Sequence, residues 1–276
     1  MFDLQQLKEQ FKNCSCGVKH ELNIKDIKVG SGITAKTGQI LRENAFPNKL
    51  LLVADKNTLS ASNGILDSLD GFEITMHVYD DLREATIEQV EVIKQKLNGL
   101  EGVISVGTGS LNDICRMACA ELDKPLCIFA TAPSMDGFAS YNAPLTKGNF
   151  KITYPAKSPE VIIADTKILA TAPAHLKSAG FGDMVGKYVG LIDWQVSALV
   201  SGEHYCEKVA MLTRKATDMI MALADRITAT DEESAGAVLE ALLLTGIGMS
   251  FVKTSRPASG TEHILSHFWE CKKLLE

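Results

Sequence analysis

"GVISVGTGSLNDICR", Gly102 to Arg116, decides the fold. The run opens with small and β-branched apolar residues, the composition of a strand buried on both faces. Two glycines then break it, and the remainder carries helical spacing. A strand passing through a glycine turn directly into a helix is the opening of a βαβ unit. Gly107 and Gly109 permit the tight turn and a close approach of backbone, and Ser110 is placed to cap the helix over Asp113. Such a helix start offers unpaired N–H groups and the positive end of the helix dipole to a diphosphate. The third glycine of the usual dinucleotide fingerprint is replaced by Asn112, and the same turn also serves strands and helices that bind nothing. Both readings stand open on this stretch alone.

Working outward, "KLLLVAD" (49–55), "FEITMHVY" (72–79), "PLCIFA" (125–130) and "VIIAD" (161–165) read as further short strands. A helix lies after the first of these, in "SNGILDSL". Thr86 and Gln89 suggest a capping box opening another helix, with Ile87, Val90, Ile93 and Leu97 on one face. Alternating strands and helices predict a parallel sheet covered on both sides. Asp55, at a strand end, suits either a ribose contact or a helix cap. After about Ala170 the strands stop, and "DMVGKYVGLIDWQVSALV", "CEKVAMLTRKATDMIMALADRI" and "EESAGAVLEALLLTGIGMSFV" all carry helical spacing. The expected organisation is an α/β dinucleotide-binding domain over 1–170 and an all-helical metal- and substrate-binding domain over 171–276, with a cleft between them.

The totals narrow the class. A net charge of −6 over 276 residues argues against nucleic acid, which calls for a concentrated basic surface. Unbroken apolar runs, such as Ala241–Leu244, fall far short of a membrane span, and the N-terminus lacks a signal-peptide layout. Seven scattered cysteines (14, 16, 115, 119, 127, 206 and 271) read as free thiols of a reduced, cytoplasmic protein. Cys115 and Cys119, one helical turn apart, read as buried thiols rather than a metal pair.

Three further stretches carry polar groups suited to chemistry. "TAPSMDGFAS" (131–140) follows a strand on the sheet's carboxyl edge, where open α/β sheets bind ligands, and brings Thr131, Ser134, Ser140 and the single charge of Asp136. An ordinary turn would also place Asp136 against nearby backbone. "AGFGDMVGKY" (179–188) is expected to set Asp183 at the start of the first helix of the helical half, as a first-turn charge or as a carboxylate in the cleft. In "SRPASGTEHILSHFWE" (255–270), a turn delivers the chain into a helix whose His263 and His267 share one face at i, i+4. Exposed helix histidines would have the same spacing.

Taken together, "GTGSLND", "TAPSMDGFAS", "GFGDMVGKY", Asp193–Trp194 and "SRPASGTEHILSHFWE" resemble, in order and spacing, the sn-glycerol-1-phosphate dehydrogenases, nearest the bacterial branch linked to arabinose operons. These sit in the superfamily of iron-type alcohol dehydrogenases, glycerol dehydrogenases and dehydroquinate synthases. The resemblance implies interconversion of sn-glycerol 1-phosphate and dihydroxyacetone phosphate, a place in phospholipid biosynthesis, NAD or NADP, one divalent zinc or nickel ion, and a homodimer. It implies Asp183 and His263 as metal ligands, and Asp136, Asp183 and His267 as substrate contacts, with Asp183 and His267 catalytic. Gly107, Gly109, Ser110, Leu111, Asn112, Asp113, Thr131, Ala132, Pro133, Ser134 and Ser140 would contact the cofactor. His267 or Arg256 would meet the substrate phosphate. The family pattern places a third ligand, a histidine before glycine, beyond the position of Trp269. No histidine follows His267, so the sequence reads as shortened at its C-terminus, with His267 available as a third ligand. Two other readings fit less of the pattern: a dehydrogenase of an unphosphorylated polyol such as glycerol, and a non-catalytic nucleotide- or metal-binding protein.

Overall fold

The computed structural model describes residues 2–148 and 150–272. The elements run α1 (Leu4–Lys12), β1 (Asp26–Gly30), α2 (Thr37–Glu43), β2 (Lys49–Asp55), α3 (Lys56–Ala61), α4 (Ile65–Ser68), β3 (Glu73–Tyr79), α5 (Ile87–Lys96), β4 (Gly102–Gly107) and α6 (Gly109–Glu121). They continue with β5 (Leu126–Ala130), β6 (Asn142–Lys147), β7 (Phe150–Pro155), β8 (Val161–Asp165), α7 (Thr166–Thr171), α8 (Ala174–Ser201), α9 (Glu207–Met221), α10 (Glu232–Val252) and α11 (Thr261–Cys271).

Six strands form one parallel sheet in the order β1-β8-β5-β4-β2-β3. Period-two alternation feeds two cores: Leu51 and Val53 of β2 face Val90, Ile93 and Ile114, while Leu50, Leu52 and Ala54 face Ile40, Leu41 and Ile65. Burial on both faces is why these strands read as unbroken apolar runs. From β2 the chain moves outward to β3 and returns to β4 on the other side of β2. That reversal opens a crevice beyond the carboxyl ends of the strands. Asp55 resolves as a helix cap: its carboxylate accepts from the Thr58 N–H at 2.8 Å while the Thr58 hydroxyl accepts from the Asp55 N–H. Thr86 caps α5 by accepting from the Gln89 N–H.

Two elements carry no clear signal in the sequence. β1 ("DIKVG") is a half-buried edge strand, and β6–β7 is a two-stranded antiparallel hairpin outside the main sheet. Among the helices, α10 is apolar all round and buried along most of its length, the pattern of a core helix. Its 21 residues are long and apolar enough to cross a membrane by composition, which counting unbroken apolar runs overlooks. Yet 83% of its most apolar window is buried inside the protein. α1 packs on the helical half rather than the sheet. Phe11 stacks on Phe251 with ring centroids 4.5 Å apart, and Lys208 donates to the Gln10 carbonyl. Cys115, Cys119 and Cys127 are buried free thiols.

Candidate active site

The crevice is built first by the turn from β4 into α6. Gly109 begins the helix, and a Cβ there would meet nothing within 4 Å, so the helix start faces open space. That is the cradle a diphosphate needs and a side chain would fill. Ser110 does not cap α6. It lies inside the first turn, and its hydroxyl donates to the Arg83 carbonyl at 2.9 Å. Leu111 and Asn112 turn into the protein: Leu111 joins the core, and Asn112 accepts from the Ser105 hydroxyl at 2.8 Å. Their side chains fasten α6 to β4, leaving their backbone for any contact with a ligand. Asp113 faces the crevice and pairs with the buried Arg116 at 2.7 Å. Burial raises the Asp113 carboxyl to about 7 against the opposing pull of Arg116. Arg116 also donates to the carbonyls of Gly137 and Asn142, tying α6 to the loop that follows β5.

That loop, Thr131 to Ser140, leaves β5 and presses into the helical half. A Cβ on Gly180 of α8 would overlap the Pro133 carbonyl, and one on Gly246 of α10 would sit 2.5 Å from the Asp136 carbonyl. These two glycines let backbone meet helix, and Thr131, Ala132 and Pro133 are buried there. Asp136 is thereby delivered to Asp183, whose carboxylate accepts from the Asp136 N–H at 2.8 Å. Asp183 does not begin a helix. α8 starts nine residues earlier at Ala174, so the carboxylate stands mid-helix and its role is not a first-turn charge. One helical turn on, Lys187 is buried between both acids, 2.5 Å from Asp183 and 2.7 Å from Asp136. Burial, then the Asp183 charge, raise the Asp136 carboxyl to about 6, with Lys187 opposing. The two carboxylates hold the Lys187 ammonium well above its usual range despite its burial.

The far wall is α11. Asp193 on α8 reaches across to its first residue, accepting from both the N–H and the hydroxyl of Thr261 at 2.6 Å. A Cβ on Gly260 would lie 2.7 Å from that same carboxylate, so the turn into α11 has no room for a side chain. Trp194 is buried and donates to the His204 carbonyl, anchoring the same stretch of α8. His263 and His267 then stand edge to face, their rings 4.6 Å apart. Burial and the neighbouring Lys187 lower the His263 imidazole's proton affinity, which favours the neutral form that could bind a metal.

A cavity of about 270 Å³ joins these parts, lined by Gly109, Ser110, Asp113, Asp136, Asp183, His263 and His267, with Arg83, Glu84 and Lys151 at its mouth. A second chamber of about 340 Å³ shares Asp136 and both histidines and adds Ser140 and Arg256. Ser140 is buried and accepts from the Asn142 N–H, while Arg256 pairs with Glu203 at 2.9 Å. Ser134 is half-buried on the loop and lines neither chamber. Lys187, Lys151 and Arg83 are additions to the residues singled out in the sequence. Lys187 could have been found from its place one turn after Asp183; Lys151 sits on the unforeseen hairpin. The donor set of one carboxylate and imidazole, with space beside it, suits a catalytic zinc, nickel or iron ion.

Comparisons with known proteins place the chain in a family. Residues 28–173 match the model of the iron-containing alcohol dehydrogenases. A glycerol-1-phosphate dehydrogenase [NAD(P)+] of Halalkalibacterium halodurans is 32% identical over 97% of this chain and 69% of its own. The chain belongs to the iron-containing alcohol dehydrogenase family. A second family member, the glycerol-1-phosphate dehydrogenase [NAD(P)+] of Methanothermobacter thermautotrophicus, is 34% identical over 88% of this chain and 70% of its own. The fold recurs in an archaeal Red Sea brine pool alcohol dehydrogenase (TM-score 0.75, 17% identity, covering 94% of this chain and 70% of that one). It recurs too in glycerol dehydrogenase from Schizosaccharomyces pombe (TM-score 0.69, 19% identity, covering 86% and 63%).

Proposed function

We propose that this iron-containing alcohol dehydrogenase family member interconverts sn-glycerol 1-phosphate and dihydroxyacetone phosphate, with NAD or NADP as hydride carrier. What carries the reading is that one cleft gathers an open helix start, Asp136, Asp183, His263 and His267 in a chain a third identical to relatives named for this reaction. The diphosphate lies on the N-terminus of α6 beside Gly109, where free N–H groups and the helix dipole meet negative charge. Asp183 and His263 hold a divalent ion, zinc or nickel, and His267 with Asp136 contacts substrate. When bound, the ion supplies Lewis-acid polarisation of the substrate oxygen, and the nicotinamide supplies the hydride. Lys187 sits between the two acids, 2.5 Å from Asp183 and 2.7 Å from Asp136, and so fixes the direction in which Asp183 points. Lys151 and Arg83 at the mouth are suited to a phosphate.

The protein acts in the cytoplasm as a homodimer in this reading. Exposed apolar residues along α8, among them Ile192, Leu199 and Val200, support self-association. The test of function is NADH and NADPH oxidation with dihydroxyacetone phosphate against dihydroxyacetone. Turnover that depends on the phosphate is expected. Equal or better turnover of the unphosphorylated ketone would assign a polyol dehydrogenase instead, and no turnover of either with metal and cofactor bound would leave a binding protein.

A further inference from the structure

A second set of metal-ligating groups converges away from the cleft, where the N-terminal segment lies on α9 and α10. The Sγ atoms of Cys14, Cys16 and Cys206 and a ring nitrogen of His20 all lie within 4.8 Å of one another. Cys14 and Cys206 sulfurs are 3.6 Å apart, and His20 Nε2 is 3.2 Å from the Cys16 sulfur and 3.4 Å from that of Cys206. Tetrahedral zinc, with bonds of about 2.3 Å to sulfur and 2.0–2.1 Å to nitrogen, sets edges of roughly 3.8 Å between sulfurs and 3.6 Å from sulfur to nitrogen. Three of the six edges, 3.6, 3.2 and 3.4 Å, are within about 0.4 Å of these, and the rest are at most 4.8 Å.

Plain thiol contacts could give similar spacings, so the imidazole decides. His20 Nδ1 lies 2.9 Å from the Phe251 carbonyl oxygen, which can only accept. Nδ1 therefore carries a proton, and in the neutral ring Nε2 points its lone pair at the sulfurs. A backbone carbonyl holding the distal N–H is how metal-binding histidines are fixed in tautomer and direction. His20 and Cys206 are buried, and Cys14 and Cys16 are half-buried beside a surface groove that gives an ion a way in. Gly17, at φ +85°, turns the chain sharply between Cys16 and His20. Cys206 is the N-cap of α9, so the net negative charge of three thiolates around a dication meets the positive end of a helix.

We propose that Cys14, Cys16, His20 and Cys206 form a closed structural zinc site that fastens the N-terminal segment to the helical half. Four protein ligands leave no open position for substrate, and three soft sulfurs select zinc over harder ions. The site contributes to the fold rather than to the reaction, and its ligands span the chain from Cys14 to Cys206.

Cobalt reconstitution of the reduced, full protein tests this. Sulfur-to-cobalt charge-transfer bands and intense tetrahedral visible bands are expected, which a carboxylate–imidazole cleft cannot give. The bands should persist in His263→Ala and vanish in the Cys14→Ser, Cys16→Ser double variant, with a loss of about one zinc per chain. A second reading needs no variant: zinc should shield three thiols of the native protein from alkylation. The proposal is overturned if the parent shows no thiolate–cobalt bands, if the double variant keeps them, if zinc leaves thiol labelling unchanged, or if the zinc-loaded protein carries a Cys14–Cys206 disulfide.

Discussion

The cleft and the thiol cluster make opposite use of metal-ligating side chains. In the cleft, Asp183 and His263 stand beside a cavity, backed by a buried lysine and a second acid, so any ion they hold keeps room for another partner. In the cluster, four ligand atoms converge within 4.8 Å of one another. An open site with hard and borderline donors suits exchange and catalysis; a closed site rich in sulfur suits permanence. The contrast teaches that charge balance governs the first and geometry the second. Without a metal the cleft is already neutralised in part by Lys187, which sits between its two acids.

Lys187→Met should break the cleft hardest. It leaves the half-buried Asp136 and Asp183 without their buried cation, at a cost of about 3 kcal/mol, read from a denaturation midpoint. A loss below about 1 kcal/mol would mean that the acids are relieved by water or by protonation. Stripping zinc from the thiol cluster comes next. Untying a staple between residues so far apart in sequence should cost on the order of 2–4 kcal/mol, as for a cross-link, while leaving the cleft's ligands in place. Unchanged stability would remove the structural role.

Finer effects sharpen the cleft itself. Gly109→Val fills the open space at the start of α6 and should weaken NAD(H) binding about tenfold or more in a folded protein, by calorimetry. Unaltered affinity would move the diphosphate elsewhere. His267→Ala should raise KM for dihydroxyacetone phosphate about tenfold and spare metal content, whereas metal loss would make His267 a ligand. The smallest effect is on pH dependence. Burial raises Asp113 to about 7 from an ordinary 3.8, so the native state binds more protons than the unfolded one across that interval. Stability from this group is complete below the unfolded value and is lost as pH rises through about 7. Asp113→Asn should flatten that decline in thermal midpoint, and an identical slope would show that Asp113 does not titrate there.

Much of the sheet was legible because buried parallel strands must be apolar and must be punctuated: β2 and β8 match "KLLLVAD" and "VIIAD" residue for residue, as α10 matches its apolar stretch. β1 was not, since an edge strand half in water keeps Asp26 and Lys28. The hairpin was not, since its prolines and exposed polar residues read as loop. Reading Asp183 as the helix start misses the first nine residues of α8; within them, Gly180 is the place where the Pro133 carbonyl packs. In the candidate site, Asp136, Asp183, His263 and His267 were found through motif and resemblance, and the structure gathers them in one cavity. The thiol cluster was beyond reach, because nothing local in Cys14, Cys16 and His20 announces a partner at Cys206.

The most direct test measures metal content and dihydroxyacetone phosphate-dependent NAD(P)H oxidation on the same preparations of the parent, Asp183→Asn and His263→Ala, before and after dialysis against a chelator. The account predicts that activity and the cleft ion disappear together, in both variants and on brief dialysis of the parent. Activity should return with added metal, while about one thiolate-held zinc per chain stays throughout. Full activity in a variant that keeps its cleft ion, or in a parent stripped to the thiolate zinc alone, would contradict it.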